Sequence, residues 1–275
     1  MPSAAPLEIA LLLAAVLASG LFAGLVAGLF GVGGGTVVVP ALFYVFAVLG
    51  LGGEGNLHTA VGSSLAVIIA TSFRSLAAHR AHGAVDDHIL KSWTPWVALG
   101  ALLGAALAGV VSDEALTGVY AVGVVIVAFQ MGFGREEWTL QPDLPGGWAR
   151  RVLGTVIGTL SAMMGVGGGG FGGMLMTLCG RPIHQAVATA SGFGLAIGVP
   201  AAVGFVVMGW NAEGRPPWSL GYVNVPSALV MAVVTTAAAP YGARLAHRLP
   251  KLTLRRLFAV FLVLTAISIV AKQMG

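Results

Sequence analysis

Two glycine clusters carry the residues whose types and spacing could do chemistry. Gly31, Gly33, Gly34 and Gly35 belong to one Gly-Val-Gly-Gly-Gly run. Gly165, Gly167, Gly168 and Gly169 belong to a second, 134 positions later. Both runs sit inside apolar sequence. Glycine costs roughly 1 kcal/mol relative to alanine in a helix interior, so each run predicts a broken helix. In a bilayer the freed backbone groups need partners from protein, water or a ligand. A glycine run lets successive N–H groups converge on one point, and such nests favour anions. A helix starting after the run adds its positive end. The same glycines would also serve close helix crossing.

Hydroxyls follow each copy of a second motif. Ser63 and Ser64 come after His58-x-Ala-Val, and Thr189 and Ser191 after His184-x-Ala-Val. Such groups can donate to a sulfonate, sulfite or carboxylate oxygen, or they can cap and tie helices. His58 and His184 titrate near neutral pH and are candidates for anion contact or proton relay, or for interfacial capping. Arg74 can offset substrate charge or extend its head to the membrane surface. Thr71 and Ser72 are deeper hydroxyl candidates. No carboxylate pair lies within a span, no metal-ligand cluster is visible, and the glycine runs lack the Lys-Ser/Thr of a phosphate-binding loop. The expectation is a non-enzyme without cofactor or metal.

The elements that must position these groups are membrane helices. Of 275 residues, 57% are hydrophobic and 9% charged, against about 25% charged in soluble domains. Runs of about 20 apolar residues recur, the length that spans a bilayer. The fold class is all-α: a polytopic helical membrane protein whose helices are broken or re-entrant at the glycine motifs. The net charge of +4 lies in loops between spans and is not a nucleic-acid signature. The single cysteine, Cys179, excludes an intrachain disulfide. Residues 1–20 lack a basic leader and read as an uncleaved first span.

The chain divides into a first transmembrane repeat at 1–134, a cytoplasmic linker at 135–149 and a second repeat at 150–275. Three landmarks recur in register: Gly-Val-Gly-Gly-Gly, His-x-Ala-Val, and Gly104-Ala-x-Leu-Ala with Gly242-Ala-x-Leu-Ala. Three matches in one order argue duplication of about 130 residues. The turn after the first Gly-Ala-x-Leu-Ala carries Asp113 and Glu114; the region after the second carries Arg244, Arg248, Lys251, Arg255 and Arg256. Short basic loops stay cytoplasmic. The equivalent turns therefore lie on opposite sides, and the copies are inverted. Both termini are expected outside, with each glycine motif joining two arms of a hairpin. Segment 171–180 is too short to span. A simple eight-span chain is the competing topology.

Taken together, Gly24-x-x-x-Gly28-Leu-Phe-Gly-Val-Gly-Gly-Gly35 with Pro40, Ala60-Val61-Gly62-Ser63-Ser64-Leu65 and His79-x-x-x-Gly83-x-Val85-Asp86 resemble the TauE/SafE sulfite exporters, within the 4-toluene sulfonate uptake permease superfamily. The second half adds Pro240-x-Gly-Ala-Arg-Leu-Ala-His-Arg-Leu-Pro250 and Leu254-Arg-Arg-Leu-Phe258. Where that family commonly has Gly-Thr-Ser, this chain reads Gly62-Ser63-Ser64 and Ala188-Thr189-Ala190. The resemblance implies export of sulfite, sulfoacetate or a related organosulfonate across the bacterial inner membrane. The function expected is secondary transport by alternating access around the two breaks. An anion channel with the breaks as its filter, or export of another small organic anion, stands as the alternative. The partners expected are a small anion and the lipid bilayer, without nucleic acid; assembly is open between monomer and homodimer.

Overall fold

The computed structural model describes residues 6–30, 34–48, 50, 56–134, 141–246 and 251–274. Gly31, Gly33, Arg135 and Arg248 lie outside the described residues. Among the described residues the first half holds α1 (Pro6–Phe30), α2 (Gly35–Val48), α3 (Asn56–Ala81), α4 (Asp87–Ala108) and α5 (Asp113–Phe133). The second holds α6 (Gly147–Met163), α7 (Phe171–Leu178), α8 (Ile183–Met208), α9 (Val225–Ala246) and α10 (Lys251–Met274). A short hairpin, β1 (Ser219–Leu220) with β2 (Val223–Asn224), precedes α9. Helices α3, α5 and α8, with the Val225–Gly242 part of α9, are long and apolar enough to cross a membrane. The all-α, polytopic class expected from composition is the architecture observed.

Three boundaries differ from the sequence reading. Helix α4 starts at Asp87 rather than 93, because the Asp86 carboxylate accepts from Ile89 N at 3.0 Å and caps it. Helix α9 starts at Val225 rather than 219, where Asn224 accepts from Ser227 N at 3.1 Å; the preceding residues form the β-hairpin. Helix α6 begins at Gly147, inside the expected linker.

Helix directions follow from which glycines touch which residues. Gly62 of α3 abuts Phe205 of α8, Gly198 abuts Leu65, and Gly194 abuts Ser72, so α3 and α8 run antiparallel through the centre. Gly20 lies against Val234, Gly24 against Ala238, and Gly242 against Leu25, so α1 and α9 run parallel. Gly154 lies against Trp96, Gly158 against Ala101, and Gly104 against Thr159, so α6 and α4 run parallel too. Helices holding the same place in the two halves, α3 and α8, thus point in opposite directions.

The close crossings repeat between halves. A methyl at Gly24 would stand 2.6 Å from Thr235 O, and Gly158 faces Val97 O in the same way. A methyl at Gly104 would stand 2.5 Å from Thr159 O, and Gly242 faces Leu25 O. Small residues here let the backbones approach, which is what drives helix association where lipid removes the hydrophobic driving force.

Candidate functional site: the meeting of the two breaks

The second break begins as a helix stop. Gly165 takes φ +64, Val166 N donates to Ser161 O at 2.9 Å, and Gly165 N donates to Ala162 O at 3.1 Å. This is a Schellman closure, which glycine favours because the left-handed conformation costs it nothing. The chain then runs through 166–170 without regular helix and enters α7. At eight residues α7 is about 12 Å long, too short to cross a hydrocarbon core of about 30 Å. In the first half, Gly34 takes φ +75 and its carbonyl accepts from Val37 and Val38 at the start of α2. Helix α2 returns along α1: Gly34 faces Ala23 and Ala27.

The two breaks touch. A methyl at Gly35 would stand 2.5 Å from Gly165 O and 3.0 Å from Val166 Cα. It would also meet Ile68 at 2.8 Å, and Ile68 lies halfway along α3. Ser64 Oγ donates to Gly165 O at 2.8 Å, joining the first half to the second break. Gly34, Gly35, Ser64, Gly165, Val166, Gly167 and Gly168 are all buried, whereas Gly169 is half-buried. Farther along the break, Gly168 packs on Ala190 O and Phe193 of α8.

The hydroxyls of Thr36, Thr117, Tyr120 and Ser161 are not among the candidates that the motifs point to. Pro40 has no N–H, so it cannot pair with the carbonyl four residues back. That carbonyl belongs to Thr36, and the Tyr120 hydroxyl donates to it at 3.4 Å from α5. Among the described residues the buried Thr36 Oγ1 has no hydrogen-bond partner, and neither have Ser161 Oγ and Thr117 Oγ1. Pro40 was the available signal for Thr36. Nothing in the apolar run of α5 distinguished Tyr120.

The remaining candidate residues separate. Ser63 Oγ accepts from Asn224 N at 2.8 Å, and Thr189 Oγ1 accepts from Asp86 N at 2.9 Å. Each of these hydroxyls holds the residue that caps the fourth helix of the opposite half. Ser191 donates to Ala188 O within its own helix at 2.6 Å. Of the deeper pair, Thr71 donates to its own helix and Ser72 packs at Gly194.

His58 is buried and pairs through Nδ1 with the Asp113 carboxylate; its Nε2 meets Ala108 O at 2.7 Å. This pair ties α3 to the α4–α5 turn. Tyr222 stacks near it, with ring centroids 5.0 Å apart. Burial and the nearby Asp113 charge raise the Tyr222 hydroxyl pKa above its ordinary value, while Arg215 opposes them. His184 is exposed in the first turn of α8, at the opposite end of the antiparallel α3–α8 pair. Arg74 is exposed on α3 and does not join the breaks.

No solved structure matches the chain. A "probable membrane transporter protein" of Haemophilus influenzae is 31% identical, covering 89% of this chain and 92% of its own length. Proteins of the same description match from Methanocaldococcus jannaschii at 23% identity, over 82% and 84% of the two chains, and from Bacillus subtilis at 25%, over 84% and 89%. The family model described as "Sulfite exporter TauE/SafE" matches residues 16–269. The buried junction of two broken helices therefore lies in a multi-pass membrane transporter, and this chain belongs to the sulfite exporter TauE/SafE family.

Proposed function

We propose that the protein is a secondary transporter that carries a small sulfur-containing anion, sulfite or an organosulfonate, outward across the bacterial inner membrane. The observation that carries this reading is the contact of Gly35 with Gly165 O in the buried middle of the bundle, bridged by Ser64. The two halves are read as inverted copies, which the antiparallel α3–α8 pair and the repeated glycine crossings support. Each copy then contributes one hairpin, entered from opposite membrane faces and returned at its glycine break. Rocking one copy against the other would open the junction to each side in turn.

The anion is placed at the start of α2. Gly35 and Thr36 lie in its first turn, where helix N–H groups have no acceptor within the helix. The Thr36 hydroxyl, which has no partner among the described residues, adds a donor, and Ser64 adds a second once it releases Gly165 O. Fixed dipoles of this kind hold an anion without a buried cation, so release stays easy. A membrane potential negative inside favours anion exit by about 2.3 kcal/mol per charge per 100 mV. The His58–Asp113 pair is assigned to closing the end of the bundle that carries the α4–α5 turn and the β-hairpin.

Flux of labelled sulfite, taurine and sulfoacetate from proteoliposomes tests the proposal. Saturable efflux with counterflow for at least one of them is expected. Absence of flux and of binding for all three would overturn the substrate class, and single-channel currents would overturn the carrier mechanism.

A further inference from the structure

A cavity of about 380 Å³ opens on the back of the first hairpin, between α1, α2 and α10. Its walls include Phe22, Val37, Ala41, Tyr44, Phe261 and Thr265. The volume falls in the range of ordinary ligand sites, of about 300–1,000 Å³. The lining is almost wholly apolar, and Phe22 and Val48 on its rim are exposed. On a soluble protein such a groove would be a liability; on a membrane helix bundle it faces acyl chains.

A cation stands beside it, over Tyr44 of its wall. Lys272, in the last turn of α10, holds its ammonium 5.4 Å from the Tyr44 ring and 5.9 Å from the Phe43 ring. Among the described residues no carboxylate pairs with it. Phe261, Thr265 and Lys272 are spaced four and seven apart, so they share one face of α10. From Val37 to Val48, both on the cavity wall, α2 rises about 16 Å, close to half of a hydrocarbon core of about 30 Å. An apolar slot one leaflet long, with a cation beside it that no described carboxylate pairs and that aromatic rings frame, matches an acyl chain with its phosphate at the head.

We propose that this groove is a binding site for one anionic phospholipid. Its acyl chain lies between α1, α2 and α10, and its headgroup phosphate rests on Lys272. Charge complementarity selects the anionic lipid over a zwitterionic one. Because Val37 and Pro40 line the groove while Gly35, on the same helix, touches Gly165 O, the lipid also props the helix that forms the first break. The binding claim requires only that the helices lie in a membrane, and it stands or falls apart from the substrate reading.

Native mass spectrometry of the full chain in neutral detergent tests it, with phosphatidylglycerol and phosphatidylcholine of identical acyl chains. Wild type is expected to retain one phosphatidylglycerol under activation that strips phosphatidylcholine. Lys272→Gln should lower that retention about fivefold, the weight of one basic residue at a membrane surface. Ala41→Trp, which fills the groove, should abolish it, and Lys91→Gln, at an exposed cation elsewhere, should leave it unchanged. Equal retention of the two lipids by wild type, or unchanged retention in Lys272→Gln, would overturn the proposal. So would a dimer mass without lipid, since a second copy would then cover the groove. If Ala41→Trp fails to fold, the Lys272→Gln comparison decides alone.

Discussion

Ser63 and Thr189 show how a hydroxyl position can be visible in sequence while its work is not. Both follow the repeated motif, and by type both suit either an anion or the capping and tying of helices. In the fold each accepts from the backbone N–H of a helix-capping residue of the other half, Asn224 or Asp86. The pairing is tertiary, between residues more than 100 positions apart, so no local pattern contains it. Ser63→Ala and Thr189→Ala should each destabilise the protein by about 1 kcal/mol, read as a lower midpoint of unfolding in detergent. A hydrogen bond to a charged group typically contributes about 1.5–3 kcal/mol. Asp113→Asn should therefore cost more than either, because His58 is buried against it. Asp143 gives a pH test outside the membrane. The Leu144 N–H and then Arg181 hold its carboxyl below the usual carboxylate range. Its folded pKa is thus lower than in the unfolded chain. The tether to Arg181 is fully present above the ordinary carboxylate range and is lost as pH falls through the lowered value. Arg181→Ala should raise the Asp143 titration only part way, since the Leu144 contact remains; carboxyl NMR would show it.

Among the elements, the broken helices were the most legible feature and the caps the least. The glycine runs announced where helices stop, because a left-handed closure at Gly165 needs glycine. The short α7 was also visible by length. The early start of α4 and the β-hairpin before α9 were not, because charged residues around Asp86 and the Pro216-Pro217 pair looked like plain loop and loop-to-span boundary. Whether a glycine serves packing or conformation could not be read from its neighbours in sequence. The fold separates them. Gly118 on α5 faces open space, so Gly118→Ala should be neutral or stabilising by up to about 1 kcal/mol. Gly242 lies on Leu25 O, and a methyl there pushes on backbone that cannot yield. Gly242→Ala should reduce folded yield severalfold, measured as the monodisperse fraction after extraction.

For the whole molecule, charge and internal similarity in the sequence together predict inverted halves. Helices α3 and α8 run antiparallel, and each half's first helix runs parallel to the other half's fourth. Sidedness follows as an expected outcome. Single cysteines placed at Gln141 and at Glu213, in a background with Cys179 replaced by alanine, should label from opposite faces of oriented vesicles. The meeting of the two breaks was inferable only as a possibility, since depth in the bundle depends on the packing of α3 and α8.

The central claim is that the anion passes where Gly35, Ser64 and Gly165 meet. Efflux of labelled sulfite from proteoliposomes, with folded protein verified for each variant, tests it most directly. Gly118→Ala should match wild type, while Ser64→Ala and Thr36→Val should each lower the saturable rate by at least about tenfold, the weight of one lost hydrogen bond to a charged ligand. Rates in both variants equal to wild type would place the pathway elsewhere and contradict the account.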